Sequence, residues 1–436
     1  MLPIVPWAPD ISCPRLGQIQ ARNSGPTVET LERVREIIKQ VRERGDLALI
    51  ELTARFDGVT LRPDEIRVSR EQLQELAAGL DPKLLTALHQ MADNIRAFHS
   101  SPEAGTCQQT SGDGAWVGTR VLPIGSAGIY VPGGKASYPS ALLMSAIPAG
   151  VAGVERIVAV TPPQALRRTP SLAAALQMAG VDEVYQMGGA QAIAALAYGT
   201  QTVKRVHKIV GPGNKWVAAA KQSVAGVVGI DTMAGPSEVV VLADEEVRPS
   251  WVAADLVAQA EHGEDSASIA IVGNEEVAQS IRDEVDRQVM KLPNPSPAQR
   301  ALERYGAIFV CKSIESACRL INIIAPEHLQ LLTQSAEDLL PRIRHAGAIS
   351  LGHYSPQAIG NYIAGPACVL PTAGASRFSS PLGVYDFMKR NHVIRWTAGS
   401  LARHGGDIVR LARAEGCEGH AESVKIRLEG TPGDER

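Results

Sequence analysis

The sequence predicts an α/β protein with two Rossmann-like, doubly wound parallel-sheet domains and small helical pieces at its N- and C-termini. From about residue 125 onward, short apolar runs alternate with amphipathic segments, the order expected of a parallel sheet covered by helices on both faces. The 436 residues are too many for one ordinary core, since a domain usually takes about 100–200 residues. Aromatic residues make up only 4% of the chain, so the predicted cores consist mainly of Ala, Val, Ile and Leu.

The predicted elements follow in chain order. Apolar residues at helical spacing predict helices within 26–57 and 70–99, and therefore a helical opening unit. A first alternation then contains strands at 156–161, 183–186 and 208–210, with helices at 171–179, 190–198 and 215–225. A second alternation contains strands at 238–242, 269–272 and 307–310, with helices at 251–261, 275–292 and 313–324. Residues after about 385 are predicted to form a helical tail.

This order predicts four parts of the chain. The break between the two alternations is expected near residues 234–236. The parts are an N-terminal helical arm (1–25), a first Rossmann-like domain (26–129 together with 238–383), a second Rossmann-like domain (130–237) and a C-terminal helical dimerisation tail (384–436).

Composition excludes several classes of function. Lys and Arg number 43 against 46 Asp and Glu, and a net charge of −3 gives no electrostatic reason to expect a nucleic-acid partner. The six cysteines are scattered without a CxxC pair, which argues against a disulfide framework or a zinc finger and favours the reducing cytoplasm. No signal peptide is recognisable at the N-terminus, and the most apolar stretch, 141–154, is too short to span a membrane. We therefore expect a cytoplasmic protein that is not inserted in a membrane.

Glycine-rich loops lie between predicted strands and helices, at Gly133-Gly134, Gly188-Gly189 and 211–214. Such loops are turns, or they bind a ligand where helix N-termini expose free N–H groups. A Walker A phosphate loop is excluded, because Ile129 replaces its first glycine and Ala136 its Ser or Thr.

Gln259 and His262 share one face near the end of a predicted helix. An amide oxygen and an imidazole nitrogen are possible Zn²⁺ ligands, although Gln is an unusual one. Alternatively, His262 interacts with the last carbonyl groups of the helix.

Glu327 and His328 interrupt an apolar run directly after Pro326. Pro326 and Glu327 suit the first turn of a helix, whereas a buried His beside a carboxylate suits a general acid–base pair. Ser237, just before a predicted strand, is either a structural hydroxyl group or a functional one.

Taken together, several long segments resemble the histidinol dehydrogenase family over roughly residues 25–425. The resemblance rests on motifs in the same order: GIYVPGGKASYPSALLM (128–144), GGAQAIAALAYGT (188–200), KIVGPGNKWV (208–217), AGPSEVVVLAD (234–244), AQAEHGEDS (258–266), APEHLQLL (325–332), LPTAGASRFSSPLGVYDFMKR (370–390) and EGCEGH (415–420).

The resemblance implies an enzyme that oxidises an amino alcohol to the amino acid in two steps, with two NAD⁺ and one zinc ion per subunit. It implies a catalytic acid–base pair, Glu327 and His328. The resemblance also implies NAD contacts at Tyr130, Gln191 and Asn214, and substrate contacts at Ser237, His328 and Glu415. The implied zinc ligands, which are also part of the substrate site, are Gln259, His262 and His420. His420 is expected to come from the other subunit of a homodimer with intertwined C-terminal tails.

The chain departs from the family pattern in one short loop. The family's fourth zinc ligand is an Asp, and Asn361 stands at that position here. Ala367 and Cys368 replace an Asn-His pair whose His contacts substrate. A neutral amide holds a dication less tightly than a carboxylate does, and Cys368 is either a smaller neighbour of the substrate or a substitute ligand.

These changes leave three hypotheses for the function. They favour a family member that oxidises another alcohol over an ordinary histidinol dehydrogenase whose loop has changed by neutral drift. The hypothesis from another class is a catalytically inactive homologue that binds NAD or a metabolite, against which the retained Glu327-His328 pair argues.

Overall fold

The computed structural model of the chain describes residues 2–22, 25–100, 107–110, 114–133, 137–232 and 235–429, and for 107–110 it describes the backbone alone. The loop residues Gly134 and Ala136 and part of the expected break at 234–236 lie outside these ranges. The chain divides into two compact units, one of Met1–Ser101 with Ile124–Phe387 and one of Pro102–Pro123 with Met388–Arg436.

The strands of the described residues are β1 (Ile4–Trp7), β2 (Arg67–Val68), β3 (Cys107–Thr110), β4 (Trp116–Pro123), β5 (Ser126–Tyr130), β6 (Arg156–Thr161), β7 (Glu183–Gln186), β8 (Lys208–Val210), β9 (Gly229–Ile230), β10 (Glu238–Ala243), β11 (Ala267–Val272), β12 (Ala307–Cys311), β13 (His328–Leu332), β14 (Ala348–Leu351) and β15 (Met388–Arg395).

The α-helices are α1 (Pro14–Ala21), α2 (Val28–Arg44), α3 (Asp46–Asp57), α4 (Arg70–Ala77), α5 (Pro82–His99), α6 (Pro139–Val151), α7 (Pro163–Arg168), α8 (Pro170–Met178), α9 (Gly189–Tyr198), α10 (Lys215–Val224), α11 (Pro249–Ala260), α12 (Glu275–Val289), α13 (Ser296–Tyr305), α14 (Ile314–Ile324), α15 (Ala336–Leu339), α16 (Gln357–Tyr362), α17 (Ala398–Ala414) and α18 (Glu418–Glu429). Within the described ranges, no helix is both long and apolar enough to cross a bilayer.

Two six-stranded sheets form the larger unit. The first sheet has the order β1-β12-β11-β10-β13-β14, and all of its strand pairs are parallel. The second sheet has the order β2-β7-β6-β5-β8-β9 and is parallel except for the β2–β7 pair. Their central strands are buried on both faces, which explains their continuous apolar sequences. The predicted α/β fold class is therefore confirmed.

The helices near the N-terminus pack on the second sheet. Val34, Ile38 and Leu52 share a buried cluster with Val158 and Ile193. The predicted boundaries instead placed 26–129 with 238–383, so the structure differs from that expectation here. An amphipathic helix shows which of its faces is apolar, but its sequence does not show which sheet that face covers.

The smaller unit corrects the prediction of a wholly helical tail. Its antiparallel sheet has the order β15-β4-β3, and β15 lies within the segment that was expected to be helical. Helices α17 and α18 follow it, as predicted. At the other end of the chain, the expected N-terminal helical arm also contains β1, which joins the first sheet as an edge strand.

A buried ion pair holds the loop that follows β8. Lys221 Nζ donates to Asp231 Oδ1 at 2.6 Å and to the Gly211 carbonyl oxygen at 2.5 Å. Asp231 Oδ2 accepts from the Gly211 N–H at 2.7 Å. Gly211 has φ +112°, and a Cβ there would lie 2.3 Å from the Tyr130 carbonyl oxygen, so only glycine fits this position.

We expect Lys221→Met to destabilise the protein by about 3–5 kcal/mol, because it leaves the buried Asp231 carboxyl group without its partner. Urea unfolding monitored by circular dichroism measures the change. Arg33→Met is the control, because the Arg33–Glu29 pair is largely exposed and contributes less than about 1 kcal/mol. Equal losses of unfolding free energy in the two variants would show that the buried Lys221–Asp231 pair does not stabilise the fold in this way.

Candidate active site

The pairing of β10 with β13 places a serine and a glutamate side by side. Ser237 directly precedes β10, and Glu327 directly precedes β13. Glu327 Oε2 accepts hydrogen bonds from Ser237 Oγ at 2.6 Å and from the Glu238 N–H at 3.0 Å. The carboxyl group is thereby fixed in a buried position, which favours the functional interpretation of Ser237.

Ala325 explains why the chain does not form a helix at this pair. It ends α14 with φ 54° and ψ 61°, a left-handed conformation that is uncommon for a residue with a side chain. The following Pro326 disfavours the right-handed helical region at Ala325. The interpretation of Pro326 and Glu327 as a first helical turn is therefore wrong, and the strand β13 begins at His328.

Burial moves the pKa values of the pair in opposite directions. It raises the pKa of Glu327 to about 7, although the hydrogen bonds from Ser237 and Glu238 lower it in part. Burial also lowers the pKa of His328 to about 3, and the nearby His262 imidazole adds to this. His328 Nε2 lies 3.9 Å from Glu327 Oε1. The site thus holds a neutral imidazole beside a carboxyl group that titrates near neutral pH.

A second buried carboxylate lies behind Glu327. Glu238 forms an ion pair with Arg22, and both side chains are almost fully buried. Arg22 also donates to the backbone oxygens of Ser237 and Asp265, at 3.2 and 3.0 Å. The negative charge of Glu238 raises the pKa of Glu327, and the positive charge of Arg22 lowers it. Sequence analysis missed this pair, because nothing local links residue 22 to residue 238.

In the larger unit, the predicted zinc ligands lie on or next to two helices, α11 and α16. Gln259 is fully buried in the last turn of α11, and His262 follows that helix with an exposed side chain. Gln259 Oε1 accepts from Gln357 Nε2 at 2.9 Å, and Gln357 is the first residue of α16, the helix that carries Asn361. The structure therefore brings Gln259, His262 and His328 into one region with α16.

Cys368 lies in the same region. Its backbone N–H donates to Met144 Sδ at 3.1 Å. Burial, together with the charge of Glu327, raises the pKa of the Cys368 thiol to about 12. Both interpretations of Cys368, a smaller neighbour of the substrate and a substitute ligand, stay predictions.

The predicted NAD contacts follow strands of the second sheet at their carboxyl ends. Tyr130 ends β5, and its hydroxyl group accepts from the Gly189 N–H at 3.1 Å. Gln191 is buried in α9 after β7, and its Nε2 has no hydrogen-bond partner within the described residues. Asn214 follows β8 and caps α10, with its Oδ1 accepting from the N–H groups of Trp216 and Val217. Ligands of open parallel sheets bind at such edges.

Glu415 and His420 belong to the smaller unit. Glu415 follows the last turn of α17, and His420 lies in α18. Both side chains are exposed. Their assigned roles stay predictions. Within the described part of the chain, no three His, Cys, Asp or Glu side chains cluster as a metal site.

The chain is similar to known proteins along almost its full length. The family model described as histidinol dehydrogenase matches residues 20–428. Curated histidinol dehydrogenases of Geobacillus kaustophilus and Aquifex aeolicus are 47% and 46% identical to it, over 92% and 90% of this chain and 95% and 91% of theirs. A crystal structure of histidinol dehydrogenase from Elizabethkingia anophelis has a TM-score of 0.90 at 33% identity and covers 98% of each chain.

The buried Glu327 makes stability depend on pH. A glutamate in the unfolded chain ionises near pH 4.5, and Glu327 in the folded protein ionises near 7. Its contribution to stability is therefore complete below about pH 4.5 and is lost as the pH rises to 7. Relative to wild type, Glu327→Gln should gain on the order of 3 kcal/mol in the free energy of unfolding as the pH rises between these limits.

Thermal unfolding at pH 5, 6, 7 and 8 measures this gain. Glu29→Gln is the control, because the Glu29 side chain is largely exposed. A Glu327→Gln difference that stays constant over this range would refute the raised pKa.

Proposed function

This chain belongs to the histidinol dehydrogenase family, and we propose that it oxidises L-histidinol through the aldehyde to L-histidine with NAD⁺ and one zinc ion per subunit. The observation that carries the proposal is the Glu327–His328 pair, in which a carboxyl group with a pKa of about 7 lies beside a neutral imidazole. Such a pair suits a reaction that removes a proton and later activates water.

The donor atoms of the site fit a zinc ion. We assign Gln259, His262 and Asn361 as ligands from one subunit and His420 as a ligand from the other. Within the fully buried Gln259 amide, Nε2 has no hydrogen-bond partner among the described residues, and a half-turn of the amide would present its Oε1 at that place. The chemistry that a bound zinc ion supplies is a lower pKa for the substrate's hydroxyl group.

The edge of the second sheet fits a dinucleotide. Gln191 Nε2 is a donor without a partner among the described residues, and the glycine at position 211 lets the backbone pass where a side chain could not. The amino ends of α9 and α10 lie at the same edge, where the positive ends of their helix dipoles favour an anionic group such as a phosphate. NAD⁺, once bound, supplies the acceptor for the hydride.

His328 and Glu327 take different roles because their pKa values differ. His328 is neutral at all pH values well above 3, so its ring can accept the proton of the alcohol as the hydride leaves. Glu327 ionises near pH 7 and, once ionised, can take a proton from the water that adds to the aldehyde. Ser237 Oγ holds the carboxylate in place during this step.

We also propose a cytoplasmic homodimer with intertwined C-terminal tails. The smaller unit exposes large apolar side chains at Ile394, Leu411 and Ile426. Exposed apolar side chains of this kind are typical of surfaces that another chain covers. In this arrangement, Glu415 and His420 complete the site of the partner subunit.

Oxidation of a different alcohol is the second candidate function. Asn361 makes the implied ligand set free of negative charge, and Cys368 is smaller than the histidine implied at that position. Both changes lie in the region that would receive the alcohol. The inactive, binding-only alternative rests on the same two changes and leaves the buried acid–base pair without a role.

We expect purified full-length protein with zinc and NAD⁺ to produce NADH from L-histidinol at roughly 1–10³ s⁻¹, measured by absorbance. His328→Ala should lower kcat by about 10²–10⁴-fold, because it removes the proton acceptor. His89→Ala, at an exposed position of α5, is the control and should keep full activity. Full activity of His328→Ala would contradict the mechanism.

The same assay, repeated with other amino alcohols as substrates, distinguishes the three hypotheses. Turnover of another amino alcohol without turnover of L-histidinol would support the altered substrate. Protein that binds NAD⁺ but contains no zinc and oxidises no alcohol would support the binding-only alternative.

We expect Asn361→Asp to tighten zinc binding by about tenfold or more, because a carboxylate attracts a dication and an amide does not. Competition with a chromophoric chelator measures the affinity. Asn391→Asp, on the exposed strand β15, is the matched control. If both variants bind zinc like wild type, Asn361 is not a ligand.

A further inference from the structure

Three buried or partly buried side chains connect Gln259 to the rest of the site. Asp255 lies one turn before Gln259 in α11, Gln330 lies two residues after His328 in β13, and Gln357 begins α16. Gln330 is fully buried, and Gln357 is nearly so. The three elements that hold the proposed catalytic and zinc-binding residues of the larger unit thus meet through these side chains.

The two hydrogen bonds of the Gln330 amide have a fixed direction. Gln330 Nε2 donates to Asp255 Oδ2 at 2.9 Å, and Gln330 Oε1 accepts from the Gln357 backbone N–H at 2.6 Å. An ionised carboxylate can only accept and a backbone N–H can only donate, so the Gln330 amide satisfies both in one orientation alone. Gln330 therefore fixes the beginning of α16 against α11.

The hydrogen bond between the Gln357 and Gln259 amides has no fixed direction. The Gln357 and Gln259 amides meet at 2.9 Å between Nε2 and Oε1, and the other amide atom of each has no partner within the described residues. Amide oxygen and nitrogen are nearly equal in size, so a half-turn of both groups keeps one hydrogen bond and reverses its direction. Gln259 Nε2 then donates to Gln357 Oε1, and Gln259 Oε1 becomes the free atom.

We propose that Gln357 is a positioning residue that accepts a hydrogen bond from Gln259 Nε2 and so leaves Gln259 Oε1 free to bind zinc. The proposal rests on the function proposed above. Zinc binds an amide through its oxygen, because the electron pair of the nitrogen is delocalised into the carbonyl group. Partners that orient a metal ligand in this way typically change metal affinity by about 10–100-fold when they are removed.

Two substitutions at position 357 test the direction of this hydrogen bond. Gln357→Glu introduces a carboxylate that only accepts, so it should bind zinc at least as tightly as wild type. Gln357→Met keeps a similar length without an acceptor oxygen, so its zinc affinity should fall by about 10–100-fold. Competition with a chromophoric chelator on the metal-free full chain measures all affinities, and circular dichroism reports folding.

Gln40→Met, on the surface of α2, is the control and should bind zinc like wild type. Gln357→Met within twofold of wild type would overturn the proposal, as would Gln357→Glu that binds as weakly as Gln357→Met. If Gln357→Met does not fold, Gln357→Glu decides: wild-type or tighter binding supports the proposal, and weaker binding overturns it. Wild-type protein that binds no zinc would instead refute the proposed function, and this inference with it.

Discussion

The parallel pairing of β10 with β13 is the constraint on which the candidate site depends. Val239 lies opposite His328, so the residues just before the two strands, Ser237 and Glu327, are neighbours at the amino edge of the first sheet. A one-residue shift of this register would move His328 to the other face of the sheet. The buried strands of the first sheet therefore do more than form a core, because their register sets the distance between Ser237 and the proposed acid–base pair, Glu327 and His328.

Burial gives these groups complementary chemistry. Removal from water disfavours the charged form of each, which raises the pKa of the acid and lowers that of the base. A neutral imidazole and a carboxyl group that titrates near neutral pH are the result. The Arg22–Glu238 ion pair moderates the effect on Glu327, because its two charges act on that carboxyl group in opposite directions.

The sequence predicted the central strands well, because strands buried on both faces are continuous apolar runs. The expectations for 156–161, 183–186 and 208–210 match β6, β7 and β8 to the residue. It failed at β13, because Pro326 and Glu327 suit a helix start as well as a strand start. The Asp255–Gln330–Gln357 links were beyond prediction, since their residues are scattered along the chain and look like ordinary polar positions.

The location of the site also departs from the rule that ligands of open parallel sheets bind at the carboxyl ends of the strands. The proposed NAD contacts obey the rule, because Tyr130 and Asn214 lie at or beyond the carboxyl ends of β5 and β8. Glu327 and Ser237 lie instead at the amino ends of their strands. The proposed hydride transfer requires the two edges to meet, and the Cys368 N–H contacts Met144 of α6, the helix that follows β5. The loop that the resemblance singles out, 361–368, therefore contacts α6, so changes in this loop can affect both the proposed substrate site and the proposed NAD site.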